Sequence, residues 1–391
     1  MKNLIKAVAL GMLLMLPVML VSAPQSDAQE RTKSFTVSKG GTLEVRVEGG
    51  DIKISVWEKN EVVVKAEGID DEDLDRLKMK QRGNDVVVEF RNRGGWGGWG
   101  GWDGGHLRFD ITVPSQYNAD LRTAGGDIDV RGGVNGTIKG STSGGDVSID
   151  NVKGGNVDLS TSGGDMRTGD VQGDVTLKTS GGNIEMGVVG GEAYVSTSGG
   201  DISVKSVGKS LRASTSGGNI DIGDIGGEAK VSTSGGDIKI RRVSGSVTMS
   251  TAGGNIELDG ASGTVKSTTA GGDISLQNIT GSIEASTAGG NVVAELRPTG
   301  KGSSKLSSAG GDINLSIPED AKATIEATIR IQGRWSSRKS DYKVRSDFKA
   351  DTYDQDDEER EIRATYKLNG GGELIELKTV NSDITIKKAR K

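Results

Sequence analysis

The 391-residue chain carries 62 Gly, 4% aromatic residues, five Pro, one His and no Cys, at a net charge of −5. That set excludes a disulfide framework, thiol chemistry and a lipidated cysteine, and mild acidity gives no footing for nucleic acid. Val and Ile recur in order between the glycines, which excludes a disordered low-complexity chain.

Residues 1–28 read as a secretory leader. Lys2 and Lys6 precede a Leu/Met/Val run, and the small residues Ser26 and Ala28 come after it. Export to the periplasm, cell surface or medium is expected, and no later apolar run is long enough to make a transmembrane helix. Residues 29–120 hold strand-like runs such as "GTLEVRVEGGDIKISVW", joined by the charged stretch "DDEDLDRLKMK". This segment is expected to cap one end of a stack built from residues 121–320. It contains the loop "RGGWGGWGGWDGGH", where Trp96, Trp99 and Trp102 stand among glycines that cannot help to bury them. Exposed aromatics mark contact surfaces, whereas aromatics folded back would cover an open core. Both readings stand from sequence.

Between 121 and 320 a phrase repeats. The first Gly of each Gly-Gly pair falls at 125, 144, 163, 181, 199, 217, 235, 253, 271, 289 and 310, mostly 18 residues apart. With the Asp or Asn after Gly-Gly as position zero, apolar residues stand at plus one and plus three (Ile202, Val204) and at plus six (Val207). Others stand at plus ten and plus twelve (Leu211, Ala213), with Thr at plus fourteen (Thr215). Spacing of two within the sets is strand spacing. The fold class expected is all-β: a single-stranded β-solenoid (β-helix) of about eleven to thirteen coils with irregular β caps at both ends. The corner glycines are expected to supply positive φ. Inward Thr hydroxyls must bond along the stack, since a buried orphan costs about 1–3 kcal/mol. From Asn183 to Asn291 position zero alternates Asn and Asp, which keeps stacked carboxylates two coils apart. Residues 321–391 form the second cap, with a loop that runs basic ("RWSSRKSDYKVR") and then acidic ("DQDDEERE").

A catalytic reading needs convergent carboxylates with Arg or Lys in one groove. The outward plus-two column reads Asp129, Ser148, Arg167, Glu185, Ser203, Asp221, Lys239, Glu257, Ser275, Val293, with mixed signs and no cluster. No catalytic, cofactor or metal residue is assigned. The adjacent Asp127, Asp146 and Asp165 are expected to bond their own turn backbone rather than a cation. Tyr194, the one aromatic of the regular coils, joins the three Trp as a candidate partner contact.

"EGGDIKISVWEKNEVVVKA", "FDITVPSQYNADLRTAGGDIDV", the recurrent "STSGGDI" and the closing "NGGGELIELKTVNSDITIKK" resemble the bacterial putative-adhesin family of β-strand-repeat domains. The resemblance implies an exported β-solenoid and brings no catalytic residues with it. The expected function is that of a non-enzymatic adhesin or envelope scaffold that binds a surface polysaccharide or protein. An envelope-stress or signalling accessory and a carbohydrate-active β-helix enzyme are the alternatives.

Overall fold

The computed structural model describes residues 31–91, 107–300, 302–332, 342–356 and 360–389. Apart from one 3-10 turn, Asp71–Arg76, every regular element in them is a strand. Each winding lays one strand into a 17-stranded sheet and one into an 18-stranded sheet, and the two sheets face each other across the core. We call these sheets A and B. In one winding, for example, Ile202–Val207 lies in sheet A and Leu211–Ser214 in sheet B. Successive windings pair parallel and in register. Ile202 stands on Ile184 and under Ile220, and Leu211 stands on Ala193 and under Ala229. The plus-six residues make a third column, with bridges such as Val152 to Val171 to Val189.

The inward columns are those the periodicity predicts. Ile202, Val204, Val207, Leu211 and Ala213 are all buried, as are their counterparts in every winding. Because period-two strands point alternate side chains to opposite faces, one continuous core runs the length of the stack. The Thr column is buried from Thr123 to Thr287. Each hydroxyl donates to the second corner glycine one winding below, as Thr197 Oγ1 does to the Gly182 carbonyl at 2.9 Å. It also accepts from the second glycine of its own corner, Gly200 N at 3.3 Å. Ser308 and Thr379 continue the ladder at 2.8 Å to Gly290 and Gly311.

Two expectations about the corner are corrected. In the Gly-Gly pairs from Gly125-Gly126 to Gly310-Gly311 that precede position zero, no glycine adopts the left-handed φ that was expected of it; Gly50, with φ 89°, does so in an earlier turn, and Gly132, Gly133 and Gly154 do so at other corners. The second glycine is required by proximity instead. A Cβ on Gly218 would lie 2.1 Å from the Gly200 carbonyl oxygen, and 2.0–2.1 Å recurs from Gly126 to Gly311. Windings touch backbone to backbone there, so no side chain fits. The position-zero residues, in turn, do not bond their own turns. Each Oδ1 accepts the backbone N–H of the next position-zero residue, unbroken from Asp51 through Asp127, Asp146 and Asp165 to Asp312 and Asp383. Parallel stacking places that N–H directly over the side chain, at 2.8 Å for Asp146 N on Asp127 and Asp165 N on Asp146. The bond is 2.6–2.7 Å from Asn255 N to Asp237 and from Asn219 N to Asp201, and 2.9 Å from Asp237 N to Asn219, as expected for a charged acceptor.

The stack extends beyond the repeats at both ends, out of sequence order. Thr42–Val47 and Asp51–Trp57 lie between the winding of Asp85–Phe90 and Arg108–Pro114 and the first repeat winding, Asn118–Arg122 and Ile128–Val130. At the other end the last strands, Glu373–Val380 and Ile384–Lys388, are inserted between Ser304–Ile317 and the winding that starts at Ala323–Arg330. Eleven repeat levels thus gain two at each end, fifteen in all. Antiparallel strands then close the sheets: Glu61–Glu67 and Arg31–Thr36 on sheet A, Lys78–Arg82 on sheet B, and Glu361–Leu368 with Thr352–Asp356 at the far end of sheet B. Large side chains fill the ends. Phe90 and Phe109 are buried with ring centroids 6.2 Å apart, and Phe35 is buried nearby. Tyr117 is buried with its hydroxyl on the Asn84 carbonyl, and burial pushes its pKa up to about 12.

Candidate functional site

Trp96, Trp99 and Trp102 lie outside the described residues. Tyr194 is described, and its surroundings make it part of a larger surface. It is the plus-eleven residue of its winding, on the outer face of sheet B, and is 37% exposed. In-register pairing stacks it between Thr176 and Arg212, and the column continues through Lys230, Thr248 and Lys266. Two residues on, the neighbouring column reads Lys178, Ser196, Ser214, Ser232, Ser250, Thr268.

These six strands, from Val175–Lys178 to Val265–Thr268, therefore present four cations, one aromatic ring and seven hydroxyls, with no carboxylate on the strands themselves. At roughly 4.8 Å between strands the face is about 24 Å long. Its groups are poised rather than consumed. Arg212 and Lys230 are exposed and have no ion pair among the described residues. The Lys178 ammonium sits 5.2 Å from the Tyr194 ring centroid, a cation–π contact that leaves the charge at the surface. Ser214 Oγ lies 3.3 Å from Ser196 Oγ, so hydroxyls of successive windings can hydrogen-bond within the column. Lys266 alone is tied, to Glu284 at 3.1 Å. Carboxylates border the face at the corner, in Asp174, Glu192 and Glu228.

The outer face of sheet A over the same windings is different. Its charges are of both signs and pair between strands, Arg167 with Glu185 at 2.8 Å, Lys239 with Glu257 at 3.2 Å and Arg241 with Asp224 at 2.5 Å. A cleft of about 250 Å³ near the far end of sheet B is lined by Ser286, Ser307, Thr328, Arg330 and Lys378. Its cations are committed as well, Arg330 to Glu361 at 2.9 Å and Lys378 to Glu376 at 2.7 Å. Those contacts hold the Glu361 and Glu376 carboxyls below the usual range, Arg330 being the main cause for the first and Lys378 for the second. Among the described residues no three His, Cys, Asp or Glu side chains gather as metal ligands, and no helix is long and apolar enough to cross a membrane.

The plus-two column, the one most open to a reading for catalysis, lies on the self-paired sheet A. The cationic column is at plus eleven. Its signal is present in the sequence, as Arg212, Lys230 and Lys266 with Lys178 in the adjacent column and no intervening acid on the same strands, once both outward columns are aligned by the repeat.

None of the curated proteins matches the chain. Among solved structures, a putative adhesin from Bacteroides fragilis is similar at 17% identity and a TM-score of 0.34, over 59% of this chain and 97% of that one. A putative cell adhesion protein from Clostridium sporogenes is similar at 8% identity and a TM-score of 0.19, over 92% of this chain and all of that one. The family profile described as Toastrack DUF4097 matches twice, over residues 41–223 and 205–387, and the two matches overlap within the regular stack. Together they span residues 41–387, with every repeat, and the chain belongs to the Toastrack DUF4097 family.

Proposed function

We propose that this protein is a non-enzymatic adhesive rod of the cell envelope, and that the outer face of sheet B between Thr176 and Thr268 binds a surface polysaccharide with acidic groups. The observation that carries the reading is the unneutralised row of Lys178, Arg212 and Lys230 around Tyr194, set in a field of hydroxyls. A flat, regularly spaced face suits an extended polymer. The cations take up carboxylate or phosphate groups, the ring stacks on a sugar and the hydroxyls bond its edges. A protein partner is less well served, because interfaces between proteins are built around buried apolar anchors. The large exposed hydrophobics among the described residues are Val188, Tyr194, Val293 and Tyr353, and they are scattered. In this reading residues 1–28 are a leader removed on export, residues 121–320 form the binding rod, and residues 29–120 and 321–391 lengthen it by two windings at each end and close it.

The test is a pull-down and titration on a uronic-acid polymer, with neutral dextran as the control. Binding to the acidic polymer is expected to weaken about tenfold in an R212E/K230E variant, to fall with Tyr194→Ala, and to fade as salt rises. Binding that ignores all three changes, or equal binding to dextran, would refute the assignment of the face.

A further inference from the structure

The two ends of sheet B are edge strands of opposite charge. At one end Lys78–Arg82 pairs with Asp85–Phe90 on one side and with no described strand on the other. At the far end Thr352–Asp356 pairs with Glu361–Leu368 on one side and with no described strand on the other. Open edges offer backbone donors and acceptors to any passing strand, and proteins ordinarily blunt them. Here both are long enough to pair, five residues each, and both are largely exposed.

We propose that these edges join copies of this chain head to tail, with Lys78–Arg82 of one copy laid antiparallel on Thr352–Asp356 of the next. Strand direction allows it. Asp85–Phe90 runs with the parallel windings and Lys78–Arg82 runs against them, whereas Thr352–Asp356 reverses twice from Ala323–Arg330 and so runs with them. Translating one copy along the stack therefore brings the edges together antiparallel.

Side-chain facing agrees. Met79 packs against the core and, with Gln81, lies on the face of Val88 and Val86, so Lys78, Lys80 and Arg82 point to the opposite face. Tyr353 and Gln355 lie opposite Ala364 and Ile362, also buried, so Thr352, Asp354 and Asp356 point outward. The full five-residue overlap sets Lys80 opposite Asp354 on the outer face, with Lys78 at the level of Asp356, a carboxylate already engaged within its own chain. On the inner face it brings Met79 and Gln81 to Gln355 and Tyr353, and Tyr353 is 50% exposed in the single chain. Cross-strand pairs of opposite charge stabilise such a join and like charges oppose it. The same lysines thus reject a head-to-head contact while accepting a tail.

The neighbouring acids do not cancel the lysines. On the turn Asp71–Arg76, Asp71 takes Arg31 at 3.4 Å and Asp73 takes Arg76 at 3.3 Å, and Lys78, Lys80 and Arg82 have no ion pair among the described residues. One edge carbonyl, that of Met79, is already used by Lys33 at 2.9 Å, so the join uses the remaining ladder positions. A head-to-tail contact with no closing rotation gives an open linear array.

The experiment is sedimentation velocity on the purified chain over rising concentration, at about 50 mM and about 500 mM salt. Weight-average mass is expected to at least double with concentration at low salt and to stay flat at high salt. K78E/K80E alone and D354K/D356K alone should each remain monomeric, and mixing the two should restore growth, because each then meets an edge of opposite charge. Recovery on mixing also shows that both variants are folded. A wild-type chain that stays monomeric throughout, growth that neither swap alters, or a mixture that fails to recover would overturn the proposal.

Discussion

At the scale of single residues the corner is the most constrained part of the molecule. Three groups share its backbone. The second glycine admits the winding below, the threonine hydroxyl takes that winding's carbonyl and its own corner's N–H, and the Asp or Asn oxygen takes the next winding's N–H. The turn leaves little backbone unpaired, although it has no neighbouring strand in the ordinary sense. The two glycines are not equivalent. A Cβ on Gly217 would stand 3.3 Å from the Gly199 oxygen, and one on Gly218 would stand 2.1 Å from that of Gly200. Gly218→Ala must push two windings apart and is expected to cost about 1–3 kcal/mol, in the range of overpacked interiors. Gly217→Ala should cost less than about 1 kcal/mol. Urea unfolding of the two variants side by side checks the order, and equal losses would mean that crowding does not explain the second glycine.

At the scale of elements each winding is a unit whose strands have their partners above and below, so stability is close to a sum over neighbours. Removing residues 219–236 takes out one 18-residue period and would place Ile238 on Ile202 with every inward column preserved. That deletion is expected to fold, with an unchanged β-sheet circular dichroism signature and a melting temperature within a few degrees of the parent. A deletion of 17 residues shifts the strand register by one and turns the core side chains outward, and should not fold. The ends obey a different rule. Because Glu373–Val380 lies between Ser304–Ser308 and Ala323–Arg330, truncation after Leu368 removes an interior strand. Limited proteolysis should then cut the chain beyond Ile317, whereas the 219–236 deletion should resist.

At the scale of the whole molecule, stacking converts a one-dimensional repeat into faces. On sheet A charges pair between strands, as Lys239 does with Glu257, whereas Arg212 and Lys230 on sheet B have no ion pair among the described residues. A polymer lying along sheet B would meet a further outward pair of side chains at each winding, so its contacts add by linkage. Acidic oligosaccharides of graded length should therefore bind more tightly with each added sugar until they span the strands from Val175–Lys178 to Val265–Thr268, and no further. Isothermal titration across such a series would show the plateau. Affinity independent of length would place binding at a single point.

The sequence alone determined the solenoid, its period and its inward columns. Ile202, Val204, Leu211 and Thr215 are spaced at a strand's period between fixed corners, and burying such a pattern requires identical windings to superimpose. It also held the cationic column, in residues 18 apart, such as Arg212 and Lys230, that become neighbours once the windings are aligned. Three things were decided by tertiary structure. A glycine needed for left-handed φ and one needed for close approach look the same in sequence, and the separation between windings settles which is present. An Asp oxygen can serve its own turn or the next, and parallel stacking puts the next donor directly over it. The interleaving of Thr42–Trp57 and Glu373–Lys388 into the stack joins strands far apart along the chain, and local pattern carries no information on such pairings. Local periodicity fixes what a winding buries, and contacts between windings fix which one lies on which.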